Sequence, residues 1–369
     1  MLIAVRVVAA LLGTFFVLAT LGSAVRTLIL PRAVPARYGR VVFVFVRRLF
    51  DLRIGRGAGY ARRDEVMAYY APVALLALLG AWILTVMAGY MLLFHAAGGR
   101  SAAESFTLSG SSLFTLGFDR PADLPSQALS FSESAIGLLL VALLITYLPS
   151  IYAAFSRREG AVAMMEVRAG SPPSGVEMLK RFWRLQRMEE LHPVWVAWEG
   201  WFVDVEETHT SFPALAFFRS PEPDRSWITA AGAVLDGAAL LVSTVEVAHD
   251  VQADICIRSG YIAMRRICDF FGIPYNPNPQ RGEPVSVARE EWEEACLQLE
   301  AQGLPLKVDR EKAWADFSGW RVNYDQPLLA LATLTMAPYA PWSSDRGLKS
   351  YTPSLFRFKT RIRDLVSGA

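Results

Sequence analysis

Apolar residues are concentrated in the first part of the chain, in runs long enough to cross a bilayer. The hydrocarbon core of a membrane is about 30 Å thick and needs about 20 largely apolar residues per helix. Three runs reach this length, at residues 2–30, 66–95 and 131–155. The third carries a single acid, Glu133, near its start. The pattern predicts three transmembrane helices.

A shorter stretch with mixed apolar and Ser/Thr character lies between the second and third runs, at residues 102–114. About a dozen residues cannot span a bilayer as a helix. Irregular backbone at membrane depth is tolerated only where protein or water surrounds it. The stretch therefore suits a re-entrant helix buried in protein.

The remainder of the chain is predicted to be helical, since Pro, Gly and Ser turns separate its segments and no alternating strand pattern is visible. Residues 227–248 are nearly apolar, but Asp236, Glu246 and polar flanks favour a buried helix of a soluble domain over a fourth span. The predicted fold is an all-α membrane protein followed by an all-α cytoplasmic domain.

Four regions follow from these patterns. Residues 1–30 form an N-terminal transmembrane helix, 31–65 a basic cytoplasmic helix, 66–158 a second membrane region, and 159–369 a helical cytoplasmic domain. The second membrane region contains a transmembrane helix, the short re-entrant helix with the residues that follow it, and a further transmembrane helix.

Arginine distribution sets the predicted orientation. Residues 31–63 hold nine arginines against one acid, Asp51, and such loops stay in the cytoplasm. The N-terminus and residues 96–130 are then outside a cell membrane that the chain crosses several times, and the C-terminal half is inside. Cleavage of the first run as a signal peptide would export the arginine-rich loop, against this rule.

The composition restricts the partners. A net charge of +2 gives no argument for nucleic acid. Residues 36–54 mix apolar side chains with arginines, which is typical of a helix in the membrane interface that meets anionic lipid headgroups. A solvated basic linker is the alternative interpretation of this segment.

Residues 115–119, named here the pore segment, carry the candidate chemistry. A selectivity filter replaces an ion's hydration shell with consecutive backbone carbonyls, and glycine permits the unusual dihedral angles that this requires. Gly117 supplies one such position, and Thr115 adds a hydroxyl. The order of helix, short helix, Thr-x-Gly-Phe and helix is the order that a filter needs.

The stretch Thr115-Leu116-Gly117-Phe118-Asp119 resembles the filter of the potassium-channel superfamily, usually Thr-Val-Gly-Tyr-Gly-Asp, with Phe for Tyr in two-pore-type members. The resemblance covers about residues 66–158, is to a prokaryotic member, and implies that these residues form a pore domain with a pore helix and filter between two transmembrane helices. It implies that these five residues form the filter, that Ser111, Ser112 and Phe114 support it from the pore helix, and that four identical chains close the pore.

The sequence departs from the family at the fifth filter position. Either Asp119 replaces the second glycine, or that glycine is deleted and Asp119 is the acid that normally follows. Both alternatives remove a residue that readily takes positive φ, so an outer ion site is altered or lost. A ring of carboxylates there would still attract cations.

Gly137, Tyr147 and Pro149 are hinge candidates in the third transmembrane helix, because proline kinks a helix near its predicted cytoplasmic end. Membrane helices also tolerate proline with no gating role.

Two Glu-x-x-His pairs, Glu206/His209 and Glu246/His249, have the helical spacing of metal-carboxylate bundles, although a buried histidine bonded to an acid is the commoner origin of such pairs. No nucleophile arrangement or phosphate loop is visible, so neither an enzyme nor a cofactor other than the permeant cation is expected.

Three functions compete. The leading one is a homo-oligomeric cation channel similar to potassium channels, with the C-terminal domain for assembly or gating. A subunit of a potassium uptake transporter is the second, since single-glycine filters resemble those of Trk and Ktr-type proteins, which carry four pore units in one chain. The third is a membrane-anchored signalling or scaffold protein.

Overall fold

The computed structural model describes residues 2–29, 37–54 and 59–346. The ordered elements within these ranges are helices, and their one bridge of β type joins Val245 and Leu306. This confirms the predicted all-α fold.

Six helices cover the N-terminal half of the described chain, up to Ala169. They are α1 (Leu2–Leu28), α2 (Arg37–Ile54), α3 (Tyr60–Ala68), α4 (Tyr70–Gly98), α5 (Ala102–Leu113) and α6 (Leu124–Ala169).

Seven α-helices and three 3₁₀ turns follow in the described part of the C-terminal half. The helices are α7 (Gly175–Arg184), α8 (Leu191–Ser211), α9 (Trp227–Thr244), α10 (Val251–Phe271), α11 (Arg289–Ala301), α12 (Arg310–Arg321) and α13 (Asp325–Thr335); the turns are Met188–Glu190, Pro213–Phe217 and Ser344–Arg346.

The chain divides into two compact units. The first draws on residues 1–56 and 69–153, and the second on residues 57–68 and 154–369. Helix α3 therefore belongs to the second unit, although α4, which starts two residues after α3 ends, belongs to the first. The sequence prediction had merged residues 66–68 with the helix that follows.

Four helical stretches of the described chain are long and apolar enough to cross a membrane: Ile3–Leu28, Tyr60–Gly98, Leu124–Ala169 and Trp227–Thr244. The first three match the predicted runs. They start or end several residues away from the predicted bounds, because polar residues at helix ends do not interrupt backbone hydrogen bonding.

The fourth stretch, α9, lies in the core of the second unit, where 94% of its apolar window is buried. Its acid Asp236 is paired there. Arg321 donates to an Asp236 carboxylate oxygen at 2.5 Å, and the Tyr324 hydroxyl donates to the same oxygen at 2.8 Å. These partners explain how an apolar helix can bury a carboxylate, which is costly for an unpaired charge.

Helices α1 and α4 pack in opposite directions. The Arg6 guanidinium donates to the Ala96 carbonyl at 2.9 Å at one end, and the Trp82 indole donates to the Ser23 hydroxyl at 3.1 Å towards the other. Between them, a Cβ on Gly13 would lie 2.6 Å from the Gly89 carbonyl oxygen. The two backbones are therefore in direct contact, as small residues permit between membrane helices.

Helix α2 lies lengthwise along α4. Near its start, the Tyr38 hydroxyl donates to the Ala81 carbonyl at 2.8 Å, and one to two turns later the Phe43 carbonyl accepts from the Tyr70 hydroxyl at 3.1 Å. As α2 advances, its contacts move back along α4, so the two helices are antiparallel. The binding of anionic lipid by α2 stays a prediction.

Candidate functional site

Helix α5 begins at a well-defined cap. The Glu104 carboxylate accepts from the Ser101 backbone N–H at 2.8 Å, and the Ser101 hydroxyl accepts from the Glu104 N–H at 3.3 Å. This reciprocal capping box satisfies two of the free N–H groups at a helix start. Gly99, at φ 68°, reverses the chain immediately before it and ends α4. The local sequence thus defines a separate 12-residue helix.

The end of α5 is held between α4 and α6. The Ser109 hydroxyl lies 3.3 Å from the Met87 carbonyl of α4, and the Ser134 hydroxyl of α6 donates to the Ser112 carbonyl at 2.7 Å. A Cβ on Gly137 of α6 would lie 2.3 Å from the Leu113 carbonyl oxygen. The last turn of α5, which leads into the pore segment, is therefore held by contacts with both α4 and α6.

Two residues of the pore segment adopt left-handed backbone conformations. Thr115 has φ 54° and Gly117 has φ 71°. A Cβ on Gly117 would meet no atom within 4 Å, so glycine is needed there for its dihedral angle and not for space. Threonine has no such freedom, and its left-handed conformation costs about 1–2 kcal/mol. Strain of this kind is typical of functional backbone.

The N–H groups of the pore segment converge on Ser111. The Ser111 carbonyl accepts from the N–H of Leu116 at 2.9 Å and of Gly117 at 3.3 Å, and the Ser111 hydroxyl accepts from the N–H of Asp119 at 3.0 Å. One buried serine therefore orients three peptide groups. The sequence predicted Ser111 as a support residue, but not this double role.

The orientation of the carbonyls follows from these bonds. In a trans peptide the C=O points opposite to the N–H of the next residue. The carbonyls of Thr115, Leu116 and Phe118 consequently point away from Ser111. Among the described residues, none donates a hydrogen bond to a carbonyl of residues 115–118. These carbonyl oxygens are therefore not used in hydrogen bonds within the described residues, and they belong to exposed residues.

The left-handed conformations end at Gly117. Asp119 is not among the residues with positive φ, and its N–H is tied to Ser111. The left-handed conformations of the pore segment therefore stop before Asp119. Phe114, the residue before the pore segment, is exposed, as are the side chains of Leu116 and Phe118.

The loop after the pore segment is held by a charged pair. Arg100 donates to the Asp123 carboxylate at 2.7 Å and to the Ser126 hydroxyl at 2.6 Å. Hydrogen bonds from Ser126 and Arg100 hold the pKa of Asp123 well below its usual range. Asp123 is therefore ionised at every physiological pH, and it caps the start of α6.

The three hinge candidates differ in their surroundings. Gly137 makes the close backbone contact described above, so its lack of a side chain has a packing reason. Tyr147 is buried and Pro149 is exposed within α6, which continues to Ala169. A hinge at Tyr147 or Pro149 stays a prediction.

The structure does not bring the predicted metal residues together. Glu206 accepts from Arg266, while His209 is buried, with its Nδ1 2.9 Å from the Val205 carbonyl. Burial and the neighbouring Arg158 lower the pKa of His209 well below its usual value. No group of three or more metal-binding side chains occurs among the described residues.

The second Glu-x-x-His pair does not share a helical turn, contrary to the prediction. Helix α9 ends at Thr244, because the next backbone groups pair with a distant segment: the Glu246 N–H donates to the Pro305 carbonyl at 2.8 Å. His249 instead lies 2.9 Å from a carboxylate oxygen of Asp254.

Glu133 is a site residue that sequence reasoning did not assign. It has no exposed surface, and its carboxyl oxygen Oε1 accepts from the Ser109 hydroxyl at 2.5 Å, directly behind the pore segment's supporting helix. The signal in the sequence was a lone acid in an apolar run, which is a functional indication in a membrane helix.

No family model, curated protein or solved structure matches this chain. Its function is therefore inferred from the geometry of the site.

Proposed function

We propose that the protein is a homo-oligomeric cation channel, similar to potassium channels, that conducts ions past the carbonyls of residues 115–118. The observation that carries the proposal is the convergence of three N–H groups on Ser111, which turns the carbonyls of Thr115, Leu116 and Phe118 to the opposite, accessible side. Aligned carbonyl oxygens are what a dehydrated monovalent cation requires.

Several chains are needed to surround an ion, because one segment presents its oxygens from one direction only. A ring of identical chains is the common solution for a symmetric assembly. By resemblance to the potassium-channel superfamily the number is four. In this arrangement the exposed side chains of Leu116 and Phe118 pack against neighbouring subunits or supporting helices.

The proposed pore discriminates among monovalent cations less strictly than a filter with two glycines. Left-handed backbone occurs at Thr115 and Gly117, and Asp119 does not extend it. One outer ion site is therefore missing from the row of carbonyls. The Asp119 carboxylates lie next to this position, and a ring of them favours cations over anions.

The proposed membrane arrangement has three crossings, by α1, α4 and the first part of α6, with α5 as the re-entrant helix. The arginine-rich segment before α3 favours a cytoplasmic location for that end and for the second unit. The antiparallel packing of α1 on α4 supports this arrangement, since Arg6 meets Ala96 at the end proposed to be external.

Residues 215–219 of the second unit, named here the gating loop, support a role of this unit in gating. Arg158 of α6, almost fully buried, donates to the carbonyls of Leu215 and Phe218 at 2.8 Å each. The next residue, Arg219, pairs with Asp64 of α3 at 2.9 Å. Because α3 leads directly into α4, the loop binds extensions of both helices that flank the pore segment. A movement of this loop would act on both together.

Ion flux tests the proposal. Purified protein in liposomes should pass potassium and rubidium, and Asp119→Asn should reduce the preference for cations over chloride. Glu104→Gln is the control, since it neutralises an exposed acid of the first unit outside the pore segment while keeping the capping box. Absence of flux under every gating condition, or a monomer by mass in detergent, would remove the channel proposal and leave the anchored scaffold.

A further inference from the structure

A seam of small polar side chains runs between α5 and α6. Ser109 of α5 bonds Glu133 of α6, and the Ser112 carbonyl accepts from Ser134. Since residue numbers rise together on both helices, the two run in the same direction. By helical spacing, Ser105 stands one turn before Ser109 on α5, and Ser130 stands one turn before Ser134 on α6.

Three oxygen atoms of this seam are buried and unpaired. They are the second carboxyl oxygen of Glu133, Oε2, and the hydroxyl oxygens of Ser105 and Ser130. Glu133 has no exposed surface, and Ser105 is 1% exposed. Buried polar atoms are nearly always hydrogen-bonded, so a fully buried carboxyl with an unpaired oxygen, and unpaired serine hydroxyls one turn away along the two helices, indicate a ligand. The donors and acceptors available suit a proton and the water that carries it.

Among the described residues the carboxyl of Glu133 is bonded by the Ser109 hydroxyl and takes part in no ion pair. The titratable groups of the surrounding elements are bonded to other partners. On α4, Tyr90 bonds Ser132 and His95 bonds the Arg100 carbonyl, and on α1, Arg6 bonds the end of α4. Glu104 caps its own helix, α5, and Arg100 pairs with Asp123. The charge of Glu133 is therefore set by its own proton.

The two forms of Glu133 make different hydrogen bonds. An ionised carboxylate only accepts, whereas the neutral acid also donates one bond. The Ser109 hydroxyl can serve Oε1 in both forms. A proton on Oε2 could be donated through water to the unpaired hydroxyl of Ser105 or Ser130, and its release leaves a negative charge in a site that lacks a cation. Such a charge is costly to bury, so the two forms favour different local packing.

We propose that Glu133, Ser105, Ser109 and Ser130 form a buried proton-binding site behind the pore segment. The proposed path for its protons is the N-terminal end of α6, where Ser126, one turn before Ser130, accepts a hydrogen bond from Arg100 of the turn between α4 and α5. The proposed site does not depend on the channel activity. The effect of its proton on ion flow does depend on that activity, and therefore rests on the proposed function.

The position of the site explains how its proton would affect the pore segment. Ser109, which bonds Glu133, lies two residues before Ser111, which orients the pore segment's N–H groups. Glu133 is followed by Ser134, which bonds the last turn of α5. A change in the packing of Glu133 is therefore transmitted to the residues that hold the carbonyl row, with no element in between.

Infrared spectroscopy tests the proton site directly. The full-length protein in lipid should show a protonated-carboxyl band that disappears reversibly as the pH is raised, and Glu133→Gln should remove this band. Glu104→Gln should retain it, because that acid is exposed. A titrating band that is unchanged in Glu133→Gln, or no such band in the wild type at any pH, would overturn the proposal.

Ser130→Ala keeps the carboxyl and is the second variant if Glu133→Gln does not fold. It should move the midpoint of the band measurably, since it removes one of the three oxygens, and an unmoved midpoint would exclude Ser130 from the site. Potassium flux against external pH should change in the wild type and be flat in Glu133→Gln. A titrating band without ion flux would refute the channel and leave the proton site. Ion flux without a titrating band would refute the proton site and leave the channel.

Discussion

Gly137 provides the sharpest test of how α6 supports the pore segment. In Gly137→Ala, the added Cβ would lie 2.3 Å from the Leu113 carbonyl oxygen and 3.2 Å from its carbonyl carbon. These are backbone atoms of the α5 terminus, which cannot rotate away as a flexible side chain could. The helix must therefore move, and overpacking of this kind costs about 1–3 kcal/mol.

Helix propensity opposes this cost, since alanine is about 1 kcal/mol better than glycine within a helix. Gly160→Ala isolates that term, because Gly160 lies in the same helix with no atom within 4 Å of the added Cβ. Gly137→Ala should therefore be less stable than Gly160→Ala by about 1–3 kcal/mol, the overpacking cost. Heating followed by size-exclusion chromatography in detergent measures the difference.

Gly137→Ala should also displace the pore segment, and so reduce potassium flux or selectivity. If Gly137 served as a hinge and not as a contact, alanine would stiffen α6 without loss of stability. Equal stability of Gly137→Ala and Gly160→Ala, with normal flux in both, would refute the packing account.

Three further outcomes are expected. Ser111→Ala should lose about 1 kcal/mol, the worth of the hydrogen bond to Asp119, and alter selectivity, as seen in flux with mixed cations; unchanged selectivity would contradict its role. Gly13→Ala should lower the melting temperature relative to Gly22→Ala, which has free space, since only the first contacts another backbone; equal melting would contradict the contact. Burial lowers the pKa of His209 in the folded protein, so the unfolded chain binds this proton more readily. The stability of the second unit, followed by tryptophan fluorescence, should therefore fall below a pH of about 6.5. His209→Phe should reduce this dependence of stability on pH.

The apolar runs predicted the long helices well, because bilayer-length hydrophobicity is a local property of the chain. The short helix α5 was also predicted, since a stretch of residues 102–114 that is too short to span a bilayer is visible in the sequence. The boundary between α3 and α4 could not be predicted from the sequence. Asp64 of α3 pairs with Arg219 of the second unit, a residue far away along the chain.

The candidate site was predicted in composition but not in mechanism. The filter role of residues 115–119 stays a prediction, whereas the bonding of Ser111 depends on a turn that brings three N–H groups to the carbonyl and hydroxyl of one residue. The importance of Gly137 arises from a contact with another helix, which no periodicity encodes. The helical spacing predicted for Glu246 and His249 was wrong, because α9 ends at Thr244 and the Glu246 N–H bonds the Pro305 carbonyl instead.

Ion flux through Gly117→Ala tests the central claim most directly. Gly117 has φ 71° and free space, so alanine introduces backbone strain of about 1–2 kcal/mol and no collision. Potassium flux in liposomes should fall or lose selectivity in this variant. Gly80→Ala, at a helical glycine that also has free space, should leave flux unchanged. Equal and unaltered flux in both variants would contradict a pore formed by the carbonyls of residues 115–118.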